Sequence, residues 1–416
     1  MGFVSTAISM SAAEPIKGPS SSAASNRGPL TVLFATVFID LLGFGIVIPF
    51  LPMYVERLGV GAFAIGAILS SYSLMQFLVS PVLGRISDHV GRRPIIMLGL
   101  LGSSLSYFVY GFAYSMPILL LSRAIHGACA ATVSTAQAYV ADITPEEKRA
   151  HGMGMIGAAF GLGFVLGPAI GGLLGRSGLR VPVFFASALT LANLLFAAIA
   201  LPESHRPTSG HRLQLNLLVP PLRLPFELMR HHMARIFLVG FLATFAMVLF
   251  EATFALMAPV IYGLSTAGVG GMLAYAGLMQ AITQGYLLRK IVGKVGEYRL
   301  IRAGLLLFAV GMVPMANFGS NGLLFLLLAA LAIGYGFTNP SIASLISKLT
   351  GRHLQGELLG LNQSALALAR IFGPLVAGLL YDFDGPTVVY ATGGIIAIAG
   401  LLLAGPINQI KGEVPR

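Results

Sequence analysis

The chain is poor in charge and nearly devoid of cysteine. Only 10% of its 416 residues are Asp, Glu, Lys or Arg, against roughly 25% in a soluble globular domain. The single cysteine, Cys129, excludes an intrachain disulfide and a cysteine metal cluster. No metal and no cofactor is expected. No glycine-rich loop ending in Gly-Lys-Ser/Thr occurs, so ATP does not drive this chain directly. No nucleophile–base set is apparent either, and an enzyme is not expected. The first 28 residues are rich in Ser, Ala and Gly and lack a clean apolar core, which argues against a signal peptide.

What fills the chain instead is apolar. Hydrophobic residues make up 56% and glycines number 51, the latter as expected where helices pack closely in lipid. Segments of membrane-spanning length recur near 29–53, 62–84, 94–113, 117–141, 152–175 and 181–201. After a polar, Pro-containing stretch they resume near 236–261, 267–289, 299–318, 322–346, 357–381 and 386–406. The expected fold is all-α: twelve transmembrane helices in two six-helix bundles, 29–201 and 236–406. A disordered tail over 1–28, a linker over 202–235 and a second tail over 407–416 complete the expected organisation.

Charge orients the segments. The stretch Gly84 to Pro94, GRISDHVGRRP, is too polar to cross a bilayer and is read as a loop in water at one membrane face. Of 26 Lys and Arg, only Arg57, Arg176 and Arg180 fall on the other face, and Arg123 and Arg370 fall within spans. A one-sided Lys/Arg bias marks the cytoplasmic face, which places both termini in the cytoplasm of a multi-pass protein of the cell membrane. The formal net charge of +11 is then a matter of topology, and no nucleic-acid partner is expected.

The halves repeat. AYVADITPEEKRAHGMG (138–154) resembles SLISKLTGRHLQGELLG (344–360), aligning Thr144 with Thr350 and Gly154 with Gly360; the same offset places Gly167-Pro168 on Gly373-Pro374. Gly91 matches Gly296, one residue closer. Phe38-Ile39-Asp40 is echoed by Phe250-Glu251. Two equal halves suggest a substrate site between them near the midplane.

With these residues in view, GRISDHVGRRP resembles the cytoplasmic loop signature of the major facilitator superfamily. DLLGFGIVIPFLP, SRAIHGACAA, AYVADIT and FGLGFVLGPAIGGLLG follow in order and resemble that family's twelve-span drug:proton antiporters, especially tetracycline efflux proteins. The likeness covers nearly all of the first half; the second half is more degenerate. It implies that Asp88 meets the N-terminal end of the eleventh helix, where a helix dipole favours negative charge, and that Arg92 links to Asp142. Gly84, Asp88, Gly91, Arg92, Arg93, Asp142 and Arg149 would then latch the two halves on the cytoplasmic side. The simpler alternative, that these are only topology-setting charges, explains the arginines but neither Asp88 nor the glycine spacing. In the second half Gly293 falls where the aspartate should be, so one strong latch is expected. In the fifth helix Gly163, Gly167, Gly171 and Gly172, with Pro168, favour close approach of a partner helix and a bend; the resemblance implies that this bend shapes the helix against the other half.

Ionisable residues inside the spans are few. Asp40 and Glu251 are the carboxylates well within a span, and Arg123, His126 and Arg370 accompany them. A charge near the bilayer centre costs about 3 kcal/mol on insertion scales. A carboxylate held away from water favours its neutral form, so such an acid binds a proton and releases it when water enters. Asp40 and Arg123 occupy the acid and arginine of the family's helix motifs, and with Glu251 they are the candidates for proton coupling; the alternative is a static buried ion pair of Asp40 with Arg123. An acid at Glu251 would favour cationic, lipophilic substrates. Phe44, Gln76, Gln280, Gln284 and Arg370 are candidates for the substrate cavity. His126 reads as a packed helix residue.

The expected function is a monomeric, proton-coupled exporter of amphipathic small molecules or drugs by alternating access, with substrate, protons and the lipid bilayer as its partners. An exporter of an endogenous sugar or amino acid derivative is the nearest alternative. A non-transporting membrane sensor is a third reading, disfavoured by intact Asp40, Arg123 and Asp88. Where tetracycline efflux proteins carry an acid in SLDY, this chain has SLSY with Ser106, and the ninth helix lacks an acid; both argue against a metal–tetracycline substrate.

Overall fold

The computed structural model describes residues 27–56, 58–130, 132–204, 231–349 and 355–405. Most of the expected tails and linker lie outside them. Every described element is helical, because within lipid each backbone N–H and C=O must be paired inside its own segment. The first span runs through Arg27–Val47, a short 3-10 turn Ile48–Phe50 and Leu51–Glu56. The second is Ala62–Val90, the third Arg92–Gly111, the fourth Met116–Cys129 with Thr132–Ile143, the fifth Glu146–Gly175 and the sixth Val181–Ala200. The seventh is His231–Tyr262. The eighth joins Thr266–Ile282, a π-turn Thr283–Leu287 and Leu288–Val295, and the ninth is Glu297–Met312; the tenth is Asn321–Leu349. Gln355–Ala404 holds the last two, broken at Asp384 and Gly385, the latter with φ of 69°. Among the described residues nine helices are long and apolar enough to cross a membrane; one of these is the double helix, and the eighth and ninth spans complete the twelve.

The polar stretch read as a loop from Gly84 is a correction. The second helix continues through Asp88 to Val90, and only Gly91 breaks it. The helix projects beyond the apolar zone, and its polar last turns face water without losing backbone hydrogen bonds. Gly84 is an ordinary helical residue there: a methyl group at its Cα would meet nothing within 4 Å.

The halves meet along two helix pairs, the second with the eleventh and the fifth with the eighth. Glycines mark where backbones touch. A Cβ on Gly66 would strike the Pro374 carbonyl, one on Gly378 the Ala62 carbonyl, and one on Gly270 the Pro168 carbonyl. These approaches cluster toward the face opposite the basic one. On the basic side Gly84, Gly154, Gly157, Gly285 and Gly293 have open space around them. The backbones of the two halves are thus pinched together at one face, whereas at the basic face Thr132–Ile143 and Leu288–Val295 pack mainly within their own halves.

A carboxylate secures the pinch. Asp382, at the end of the eleventh span, accepts the backbone N–H of Ala62 at 2.7 Å and that of Phe63 at 2.8 Å. These are orphan donors at the start of the second span, where the helix dipole also favours an anion. Gly61 has no side chain to obstruct it; a Cβ would sit 2.8 Å from Oδ2 of Asp382. Replacing Asp382 with Asn keeps the shape but removes the charge and one acceptor. We expect Asp382→Asn to widen this face: electron–electron distances between spin labels on the outer ends of the second and eleventh spans, in a Cys129→Ser background, should gain a longer population. An unchanged distribution would mean that glycine packing alone holds the pinch.

Candidate functional site

At the basic face the ends of the second, third, fourth and sixth spans are tied together. Arg92 bonds Asp88 at 2.5 Å and Asp142 at 3.0 Å, and donates to Ser87 Oγ at 2.6 Å. Asp142 also accepts from Ser204 at 3.3 Å. Glu203, at the end of the sixth span, accepts the backbone N–H of Arg92 at 2.8 Å and that of Arg93 at 3.2 Å, capping the third helix. Arg93 reciprocates by donating to the Ala198 carbonyl at 2.5 Å. Asp88 itself is 53% exposed and is held by its own half. Its implied meeting point, the start of the eleventh span, falls in part outside the described residues, as does the side chain of Arg149.

Gly91 enables this layer. Its φ of 101° with ψ of 159° is a conformation open to glycine, and a Cβ would lie 2.5 Å from Oε2 of Glu203. Sequence reasoning missed Glu203, because a lone acid after a span carries no local signal of its partner 111 residues earlier.

The second half carries a counterpart with the signs exchanged. Glu297, following Gly296 with φ of 82°, pairs with Lys348 and accepts from Ser344 at 3.0 Å. In the repeat Glu297 stands at the place of Arg92 and Lys348 at that of Asp142. Gly293 is open and carries no acid. In each half a cross-helix ion pair among the described residues therefore pins the bundle internally.

In the fifth span, Gly163, Gly167 and Gly171 share one face at four-residue spacing and receive the first span. A Cβ on Gly163 would come 3.0 Å from Leu41, one on Gly167 2.6 Å from Gly45, and one on Gly171 2.6 Å from the Ile46 carbonyl. Gly172 and Pro168 face the eighth span of the other half, at Ala267 and Gly270. The helix runs unbroken through Pro168.

Deeper in the first half, aromatic rings enclose His126: Tyr107 at 4.7 Å, Tyr72 at 5.0 Å and Phe44 at 5.9 Å between centroids. Arg123 is buried, stacks over Tyr110 at 4.9 Å, and reaches His126 Nδ1 at 3.4 Å; its Nε and Nη2 have no hydrogen-bond partner. Asp40 likewise has a buried carboxylate oxygen without a partner. The charges of both act on Tyr72 and Tyr107, yet Asp40 and Arg123 form no ion pair. The static ion pair is thus corrected: the two groups act on the same tyrosines without joining each other. Ser106 is no cavity residue. It donates to the Ser122 carbonyl at 2.8 Å while Ser122 donates back at 2.9 Å, which locks the third span to the fourth.

In the second half Glu251 is the only exposed residue between Ala246 and Ala258. Arg370 is also exposed, on the side of its helix occupied by buried Leu366, Gly373 and Ala377 and opposite the outward-facing Leu368, Phe372 and Leu379. Its charge acts on Glu251 and Tyr335 and, across the interface, on Tyr72. Gln76, Gln280 and Gln284 are half-buried. Gln284 lies on the π-turn, a distortion frequent at functional sites and not foreseen. Among the described residues no three His, Cys, Asp or Glu group to hold a metal.

The glycine geometry makes a paired prediction. Gly91→Ala should destabilise the protein by about 1–3 kcal/mol through a strained backbone and a crowded Glu203. Gly84→Ala should be neutral or stabilising by up to ~1 kcal/mol, since it only improves a helix. Thermal unfolding of the two variants in the same detergent compares them directly.

Comparison with known proteins places this geometry. The profile of the Major Facilitator Superfamily matches residues 33–373 and 236–411. Multidrug resistance protein 1 of Bacillus subtilis is 30% identical over 85% of this chain and 90% of its own length. The class E tetracycline resistance protein of Escherichia coli is 33% identical over 85% of this chain and 88% of its own. The crystal structure of the human organic anion transporter MFSD10 (TETRAN) superposes with a TM-score of 0.68 at 28% identity, covering 91% of this chain and 99% of that one. The chain is a multi-pass membrane transporter belonging to the Major Facilitator Superfamily, related to its drug efflux proteins.

Proposed function

We propose that the protein exports amphipathic small molecules across the cell membrane in exchange for protons, by alternating access. The observation that carries this reading is the membrane-embedded Asp40 and Arg123, incompletely satisfied and not paired with each other, whose charges both reach Tyr72 and Tyr107 of the aromatic wall. An acid and a base so arranged exchange a proton for a salt bridge when the pocket rearranges: protonated Asp40 tolerates separation from Arg123, and ionised Asp40 draws the guanidinium in. With the basic face taken as cytoplasmic, the state described here opens inward. Its solvent-facing Asp88 is then the disengaged half of an inner latch that would close on the eleventh span when the transporter opens outward. Asp382 is its outer counterpart, and only one of the two can be seated at a time. One inward proton supplies about 2.3 kcal/mol per 100 mV and about 1.4 kcal/mol per pH unit, and either suffices for tenfold accumulation.

Two variants test the scheme. Asp40→Asn should bind substrate yet lose uphill transport in proteoliposomes energised by a pH gradient alone; accumulation at the native level would remove Asp40 from coupling. Asp88→Asn should enrich the inward-open population and slow turnover, read as spin-label distances across the basic face. If those distances match the native protein at both acid and alkaline pH, Asp88 is only a topology-setting charge.

A further inference from the structure

Within the exporter reading, on which this inference rests, the question left open is the charge of the transported compound. A lone acid in the cavity would select cations. The structure adds a base to it. Glu251 is exposed in the middle of an otherwise buried stretch, so it faces a void inside the protein. Arg370 is exposed on a helix stripe that is otherwise buried and points away from the outward-facing Leu368, Phe372 and Leu379. The seventh and eleventh spans pack against each other, which brings the two groups to one wall. The hydroxyl of Ser70 on the second span donates to the Ile371 carbonyl at 2.5 Å, placing Arg370 where both halves meet. Among the described residues ion pairs join Arg92 to Asp88 and Asp142 and Lys348 to Glu297. None joins Glu251 to Arg370.

We infer that Glu251 and Arg370 form a dipolar recognition site for amphipathic zwitterions, compounds bearing an ammonium and a carboxylate on an apolar body. Each charge in a cavity that closes away from water must be partnered or its desolvation is uncompensated. A cation would satisfy Glu251 and strand Arg370; an anion would do the reverse. A zwitterion satisfies both, with the guanidinium fork donating to the carboxylate and Glu251 accepting from the ammonium, and the apolar body lying against Tyr72, Tyr335 and neighbouring rings.

A matched set of fluorescent probes isolates the effect: dansyl-lysine carries both charges, dansyl-cadaverine only the ammonium, and dansyl-6-aminohexanoate only the carboxylate. Binding is measured by dansyl emission on the purified protein in nanodiscs, and the readout is the ratio of affinities. The native protein should bind dansyl-lysine about tenfold or more tighter than dansyl-cadaverine. Arg370→Gln should bring that ratio near one, Glu251→Gln should erase the preference over dansyl-6-aminohexanoate, and Arg370→Lys, which keeps the charge should Gln fail to fold, should retain part of it. A native ratio near one, or a ratio unchanged by Arg370→Gln, overturns the inference. Transport separates the two levels. If dansyl-cadaverine is moved by a pH gradient without any preference for dansyl-lysine, exporter function stands and the dipolar site falls. If a pH gradient moves none of the probes although dansyl-lysine binds preferentially, the site stands and proton-driven export falls.

Discussion

A charge buried in hydrocarbon is expensive enough that every one of them must face water, a partner or a void. That constraint organises this molecule. Asp40, Arg123, Glu251 and Arg370 cannot look at lipid, so the first, fourth, seventh and eleventh spans must turn those faces inward, and their apolar faces must look outward. Once so oriented, the helices leave an interior that cannot be dry apolar packing throughout. The aromatic shell of Phe44, Tyr72 and Tyr107 then decides which charges stay sealed and which meet the void: Arg123 is buried while Glu251 and Arg370 are exposed.

The same chain is rigid in some places and built to part in others. Within the first half, carboxylate caps and arginine bonds at the basic face bind four helix ends into one layer, and reciprocal serine bonds join Ser106 to Ser122 and Ser104 to Ser187 across the bundle. The contacts between halves are of another kind. Gly66 against Pro374 and Gly270 against Pro168 bring smooth backbones together, Met53 and Leu69 pack on the core of the second half, and the Asp382 carboxylate adds two charge-assisted hydrogen bonds at an exposed edge. Contacts of that kind are lost at modest cost and remade, which suits the alternating access proposed above.

The exchange of sign between the two halves is instructive. Arg92 with Asp142 and Glu297 with Lys348 occupy matching places and perform the same pinning. An ion pair between the same two helices is indifferent to which partner carries which charge, so a repeat can drift to the opposite arrangement without structural loss. Residues that must meet the other half have no such freedom.

Much of this was legible along the chain. Helix positions follow from apolar length, since lipid leaves helix as the means of satisfying the backbone, and the repeat is visible because matching glycines and prolines keep constant spacing. Asp40, Arg123, Glu251 and Arg370 stand out in sequence because charge inside an apolar run is rare and needs no partner to be noticed. What only tertiary structure decided was whom each group meets. Glu203 caps a helix that begins 111 residues earlier, and Asp382 caps one 320 residues away; neither acid differs locally from an ordinary loop carboxylate. The loop read at Gly84 is helix to Val90, because solvent satisfies polar side chains there while the backbone ladder continues. That Asp40 and Arg123 do not pair, and that Glu251 and Arg370 face a void, depend on helix rotation and on which face of the molecule is open, quantities set by packing between distant segments and absent from any local pattern.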